Sequence, residues 1–108
     1  MNIGATTVLV ALAVLSCHAI AAAEAFDPRP REAGRAVLWA ANAYLQEVGR
    51  PPESLEQLVP KYLSKIPRLD ALTLDRARGE IYYGFNTVVV GCWCSASIGD
   101  PDFTCECK

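Results

Sequence analysis

Two pairs of cysteines, Cys92-Trp93-Cys94 and Cys105-Glu106-Cys107, constrain this chain more tightly than any other feature. Spacing of two puts both sulfurs of each pair on one face of an extended strand. If the two segments pair antiparallel, 92 falls opposite 107, 94 opposite 105 and 96 opposite 103. The turn then centres between Gly99 and Asp100, a dipeptide suited to reversing the chain, and Pro101 follows where an edge strand tolerates it. The spacing therefore predicts a C-terminal hairpin stapled by Cys92–Cys107 and Cys94–Cys105, although four cysteines allow three connectivities. A four-thiolate zinc site on the same residues is the alternative, against which stands the one-residue spacing where zinc knuckles use two. A redox-active pair would want Cys-x-x-Cys at a helix start, which is absent.

The remaining cysteine, Cys17, lies in a segment of a different kind. The chain has 10 Lys and Arg against 12 Asp and Glu, and every one of them follows residue 23. The block VLVALAVL at 8–15 is followed by small residues up to Ala25, with Ala21-x-Ala23 and Ala23-x-Ala25 both meeting the signal-peptidase requirement. Residues 1–23 are expected to be a signal peptide cleaved after 23 or 25, and the product to be periplasmic or secreted. Removing Cys17 leaves an even count, which agrees with disulfides in an oxidising compartment. Two other fates are compatible with the same segment. Its uncharged run is long enough to span a bilayer uncleaved, and Val14-Leu15-Ser16-Cys17 resembles a lipoprotein box with Cys17 as the lipidated residue. Membrane contact is expected only in those two cases.

About 85 residues then remain, enough for one small core. A core of that size is marginal, and a bridge closing about 15 residues contributes roughly 3 kcal/mol by restricting the unfolded chain. After a linker at 24–30, Ala33, Val37, Ala40, Ala41, Tyr44, Leu45 and Val48 recur at helical period, and Gly49 suits the position just past a helix end. This predicts an amphipathic helix at 31–48. Trp39 projects from the other side, beside Arg35, Asn42 and Gln46, so it is either covered by the linker or by Arg35, or exposed for a partner. Ser54-Leu55-Glu56-Gln57 fits a capping box opening a second short helix at 54–63, interrupted by Pro60. Strands are expected at 71–75, 81–85 and 87–95. In the last, alternation groups Val88, Val90, Cys92 and Cys94 against Val89 and Trp93. The fold class is α+β: a helix packed on a three- or four-stranded antiparallel sheet within a domain at 31–108.

The chemistry that is missing narrows function. The only histidine, His18, belongs to the segment expected to be removed, which excludes Ser-His and Cys-His nucleophile systems from the mature chain. There is no glycine-rich phosphate loop, and a net charge of −2 is not a nucleic-acid surface. Asp100 and Asp102 could offer oxygens to calcium, but two carboxylates fall short of its six to eight ligands. No enzyme activity, no cofactor and no resident metal are expected. Trp39, Val89 and Trp93 are the candidate contacts for a protein partner.

The stretch 43–70, AYLQEVGRPPESLEQLVPKYLSKIPRLD, resembles the globular part of type IV pilin-like proteins, in particular the major pseudopilins of type II secretion. The matching features are Tyr44 near a helix end, Gly49-Arg50-Pro51-Pro52, Leu55-x-x-Leu58, Tyr62-Leu63, Lys65-x-Pro67 and Asp70, followed by a turn at Gly79 and the strand residues Tyr82-Tyr83. The resemblance implies an α+β head with a C-terminal disulfide and a role in the envelope or in secretion, by contact with other proteins. The prepilin-peptidase signature is absent: Leu9 stands five residues after Gly4 where the family carries glutamate, and Asp27-Pro28-Arg29-Pro30 interrupts the path from membrane segment to head. The resemblance is thus to a pilin head without its assembly stalk. The calcium site of the major pseudopilins has no residue-by-residue counterpart in this shorter C-terminal end.

Overall fold

The structure, a computed structural model, describes residues 27–108. The signal segment, Cys17 and His18 lie outside the described residues. Helix α1 spans Arg29–Val48, and the strands are β1 (Asp70–Asp75), β2 (Glu80–Asn86), β3 (Gly91–Ser97) and β4 (Thr104–Cys107). The four strands form one antiparallel meander in the order β1-β2-β3-β4.

Helix α1 begins two residues before the expected start. Pro30 sits in its first turn, where a missing N–H leaves no bond unmade, and Asp27 Oδ1 accepts the Arg29 N–H at 3.1 Å. Its end falls at Val48, with the Gly49 N–H donating to the Leu45 carbonyl at 2.8 Å. The buried face is Gly34, Val37, Leu38, Ala40 and Ala41. Leu38 and Gly34 were not part of the expected stripe, and Val48, which was, is exposed. The seam is displaced because the side chain of Tyr83, wholly buried, rises from β2 against Gly34. A Cβ placed on Gly34 would lie 2.4 Å from the Tyr83 ring, so only glycine admits this approach.

The expected second helix at 54–63 is not an α-helix. Only Leu55–Leu58 form a 3₁₀ turn, and the capping box does not form. Gln57 Oε1 accepts the Glu53 N–H at 2.7 Å, while the Ser54 side chain makes no cap bond. Pro60 ends the element, and the Tyr62 and Leu63 N–H groups both donate to the Leu58 carbonyl, leaving Leu58 buried as the plug under α1.

The sheet's inner face comes from the period-two pattern. Cross-strand neighbours Ile81 and Ala96, Tyr83 and Cys94, and Phe85 and Cys92 all point toward α1. Val37, Leu38, Ala41, Ile81, Tyr83, Cys94 and Phe103 belong to one core, in which Tyr83 meets Phe103 edge-on at 5.0 Å. The Val-rich run is broken where a continuous strand 87–95 was expected. The Thr87 hydroxyl donates to the Val90 carbonyl at 2.9 Å and accepts the Val90 N–H at 3.0 Å, closing a tight turn so that β3 starts only at Gly91. Val88 is therefore not on the face of Cys92 and Cys94; with Val89 it forms the exposed tip of the β2–β3 turn.

Candidate functional site

The stapled hairpin forms in the register expected from cysteine spacing. Cys92 faces Cys107 and Cys94 faces Cys105, and both pairs are bonded as disulfides. Gly91 and Lys108 exchange both backbone hydrogen bonds, at 3.2 and 2.9 Å. Hydrogen-bonded and non-hydrogen-bonded pairs alternate along an antiparallel ladder, so both disulfides occupy non-hydrogen-bonded pairs, where opposed residues come closest. Cys94 lies in the core, whereas Cys107 is exposed. All four sulfurs are consumed in these bonds, and disulfides of this kind suit an oxidising compartment outside the cytosol. Among the described residues no group of three or more His, Cys, Asp or Glu side chains is arranged to hold a metal ion, and no helix is long and apolar enough to cross a membrane.

Trp39 is not buried beneath another element among the described residues. Its indole remains 59% exposed and lies beside the β3–β4 loop, with Nε1 donating a long hydrogen bond of 3.5 Å to the Pro101 carbonyl. The neighbours on the same helix face complete a latch. Asn42 donates from Nδ2 to the Asp100 carbonyl at 2.8 Å and accepts the Gly99 N–H at Oδ1 at 2.6 Å. Arg35 Nε meets Asp102 Oδ1 at 3.3 Å. The two aspartates once considered for calcium serve the loop itself, Asp100 accepting the Ser97 N–H and Asp102 the Phe103 N–H. Trp39 thus helps to seat the hairpin end against α1.

Trp93 belongs to a different surface. It projects from the sheet face opposite α1, 53% exposed, and its six-membered ring lies over Gly84 of β2. A Cβ on Gly84 would stand 3.0 Å from two carbons of that ring. Tyr82 stacks beside it, with ring centroids 6.5 Å apart and planes inclined by 28°. The register sets Asp70, Gly84, Trp93 and Glu106 in one row across all four strands. A depression of about 480 Å³ opens over this row, also bordered by Asn86 and Lys108. Val88 and Val89, 79% and 86% exposed, cap the β2–β3 turn next to the Asn86–Gly91 pair that closes the same face.

Of the three contact candidates, Val89 and Trp93 therefore lie toward one end of the sheet, while Trp39 lies on the helix side at the opposite end of the hairpin. Tyr82, Gly84, Asp70 and Glu106 are not among the contact candidates that the sequence offers. A glycine inside a strand pattern is a signal of close approach by another group, and Gly84 carried that signal. On the inner side, burial pushes the Tyr83 hydroxyl above the ordinary tyrosine range, opposed by the nearby Arg31 and Arg35 guanidiniums. That residue packs in the core. No protein-family model, no curated protein and no solved structure matches this chain at a significant level.

Proposed function

We propose that this chain is a non-catalytic exported module, pilin-like in its order of helix, proline turn and sheet, that works by protein contact in the cell envelope or outside the cell. The observation that carries this reading is Trp93, a large, half-exposed aromatic side chain on the sheet face opposite the helix, its six-membered ring against a glycine and flanked by Tyr82. Keeping an indole exposed gives up the burial of its apolar surface, while a rigid aromatic anchor loses little conformational entropy when a partner covers it. Val88 and Val89 extend the apolar contact at the adjoining turn. Export is supported by the two disulfides and by the uncharged N-terminal 23 residues.

The test is site-directed photocrosslinking in the organism of origin. A photoreactive phenylalanine analogue at position 93 or 89 is expected to give a discrete adduct in the envelope or extracellular fraction, and the same analogue at position 32, on the helix, to give none. Equal labelling at all three positions, or no adduct at 93, would refute the contact surface. Recovery of the protein from the cytosol with free thiols would refute export.

A further inference from the structure

We propose that the Asp70–Gly84–Trp93–Glu106 row docks an arginine side chain carried by a basic, extended segment of a partner protein. The inference rests on the contact reading above and names the chemistry of the partner. Its first support is the shape of the row. Neighbouring strands lie about 4.8 Å apart, so the backbones of Asp70 and Glu106 on the two edge strands stand about 14 Å apart, with the indole between them over β2. A planar cation laid on that ring lies one strand spacing from Asp70 and within reach of Glu106 through the extended side chains.

The second support is charge complementarity. By strand alternation, Asp70, Asp75, Glu80 and Glu106 lie on this face; Lys108, just past β4 and opposite Gly91, stands one row away, and Arg68 lines an adjoining depression with Asp70 and Gly84. Four carboxylates against these two cations leave the face negative, in a chain whose whole net charge is −2. Asp75 is engaged by Arg78, whereas the side-chain carboxylates of Asp70 and Glu106 make no hydrogen bond or ion pair among the described residues. Two uncommitted carboxylates around an exposed indole favour a guanidinium over an ammonium, because the guanidinium both stacks on the ring and donates in a planar fork. The depression of about 480 Å³ accommodates such a side chain with part of its stem. Edge strand β4 leaves one side of its ladder open for an extended segment to run alongside.

The experiment uses the exported protein with both disulfides intact and a heptapeptide of alternating glycine and arginine, blocked at both ends. The two indole N–H signals in a nitrogen–proton correlation spectrum separate Trp93 from Trp39. Arginine peptide is expected to move the Trp93 signal saturably while Trp39 stays in place. The lysine analogue should bind more weakly and the glutamate analogue not at all. Affinity should fall as salt is raised, since the contact is partly electrostatic. Trp93→Ala is expected to lose about tenfold in affinity, and Asp70→Asn and Glu106→Gln about two- to threefold each. The two carboxylate variants preserve shape, so they remain informative if Trp93→Ala does not fold, and Glu32→Gln should leave binding unchanged. A Trp93 signal unmoved by millimolar arginine peptide overturns the proposal, as does a saturable response to cellotriose in its place or equal movement of both indoles. A photocrosslink at position 93 together with failure of the arginine peptide would sink this inference alone and leave the contact reading standing.

Discussion

The two disulfides are close in sequence and in space, yet the structure separates their contributions. Removing Cys94–Cys105 leaves the outer loop, with sequence separation 15, still closed; removing Cys92–Cys107 leaves the inner loop, with separation 11. Chain entropy by itself makes the outer bridge the more valuable, but the logarithm of the length ratio gives a difference of only about 0.3 kcal/mol. Burial acts the other way and is larger. Cys94 is fully buried in the core opposite Tyr83 and its partner Cys105 packs against that core, whereas Cys107 is exposed and Cys92 lies at the core's margin. Emptying the inner site leaves a cavity beneath Tyr83 and Phe103, at a cost of roughly 1–2 kcal/mol beyond the entropy. The Cys94→Ala/Cys105→Ala protein is therefore expected to be less stable than Cys92→Ala/Cys107→Ala by about 1 kcal/mol, or about 4–8 °C in Tm for a domain of this size. Urea unfolding followed by tryptophan fluorescence reads both midpoints. If the outer-pair variant were the less stable, loop length would dominate and the burial argument would be wrong.

Gly34→Ala should destabilise by about 1–3 kcal/mol although alanine gains about 1 kcal/mol of helix propensity, because its methyl would meet the immobile Tyr83 ring; a gain in urea midpoint would contradict this. Asn42→Ala removes both bonds that hold Gly99 and Asp100, and should cost about 1–2 kcal/mol while raising hydrogen exchange at the Gly99 amide. Lys61 donates to Glu47 and thereby holds that carboxyl below the usual glutamate range, helped by Tyr62; Glu47 in turn raises the Lys61 ammonium above its usual value. The Glu47 contribution to stability is present above the unfolded glutamate pKa and is lost as pH falls through the lower folded value, and that of Lys61 is present below the unfolded lysine pKa and lost as pH rises through the higher folded one. Carbon-detected titration of Glu47 should show the low pKa, and Lys61→Ala should raise it toward the ordinary range, with Tyr62 still holding it part of the way down.

Much of the scaffold was readable in advance because its determinants are local or strictly periodic. Cysteines two apart share a strand face, so spacing pointed to the hairpin register and to the disulfide partners the structure shows, among three possible connectivities. Gly49 marked the helix end, and Ile81, Tyr83 and Phe85 marked the inner face of β2. The misreadings share a cause. The second helix shrank to one 3₁₀ turn because Pro60 leaves too few residues to repay helix nucleation. The strand through Val88 broke because one hydroxyl, that of Thr87, satisfies the backbone locally and competes with the ladder.

By itself, then, the order of residues determined the α+β class, the stapled hairpin and the position of Trp39 outside the helical stripe. Tertiary structure alone decided what each tryptophan does. Trp39 faces a loop some sixty residues distant, reached only because the hairpin end folds back onto Arg35 and Asn42. Trp93 lies over Gly84 between carboxylates from two edge strands, a grouping drawn from four segments. Periodicity reports which side of an element a residue occupies; which groups meet there depends on how the elements close upon one another, and that is a property of the packed chain.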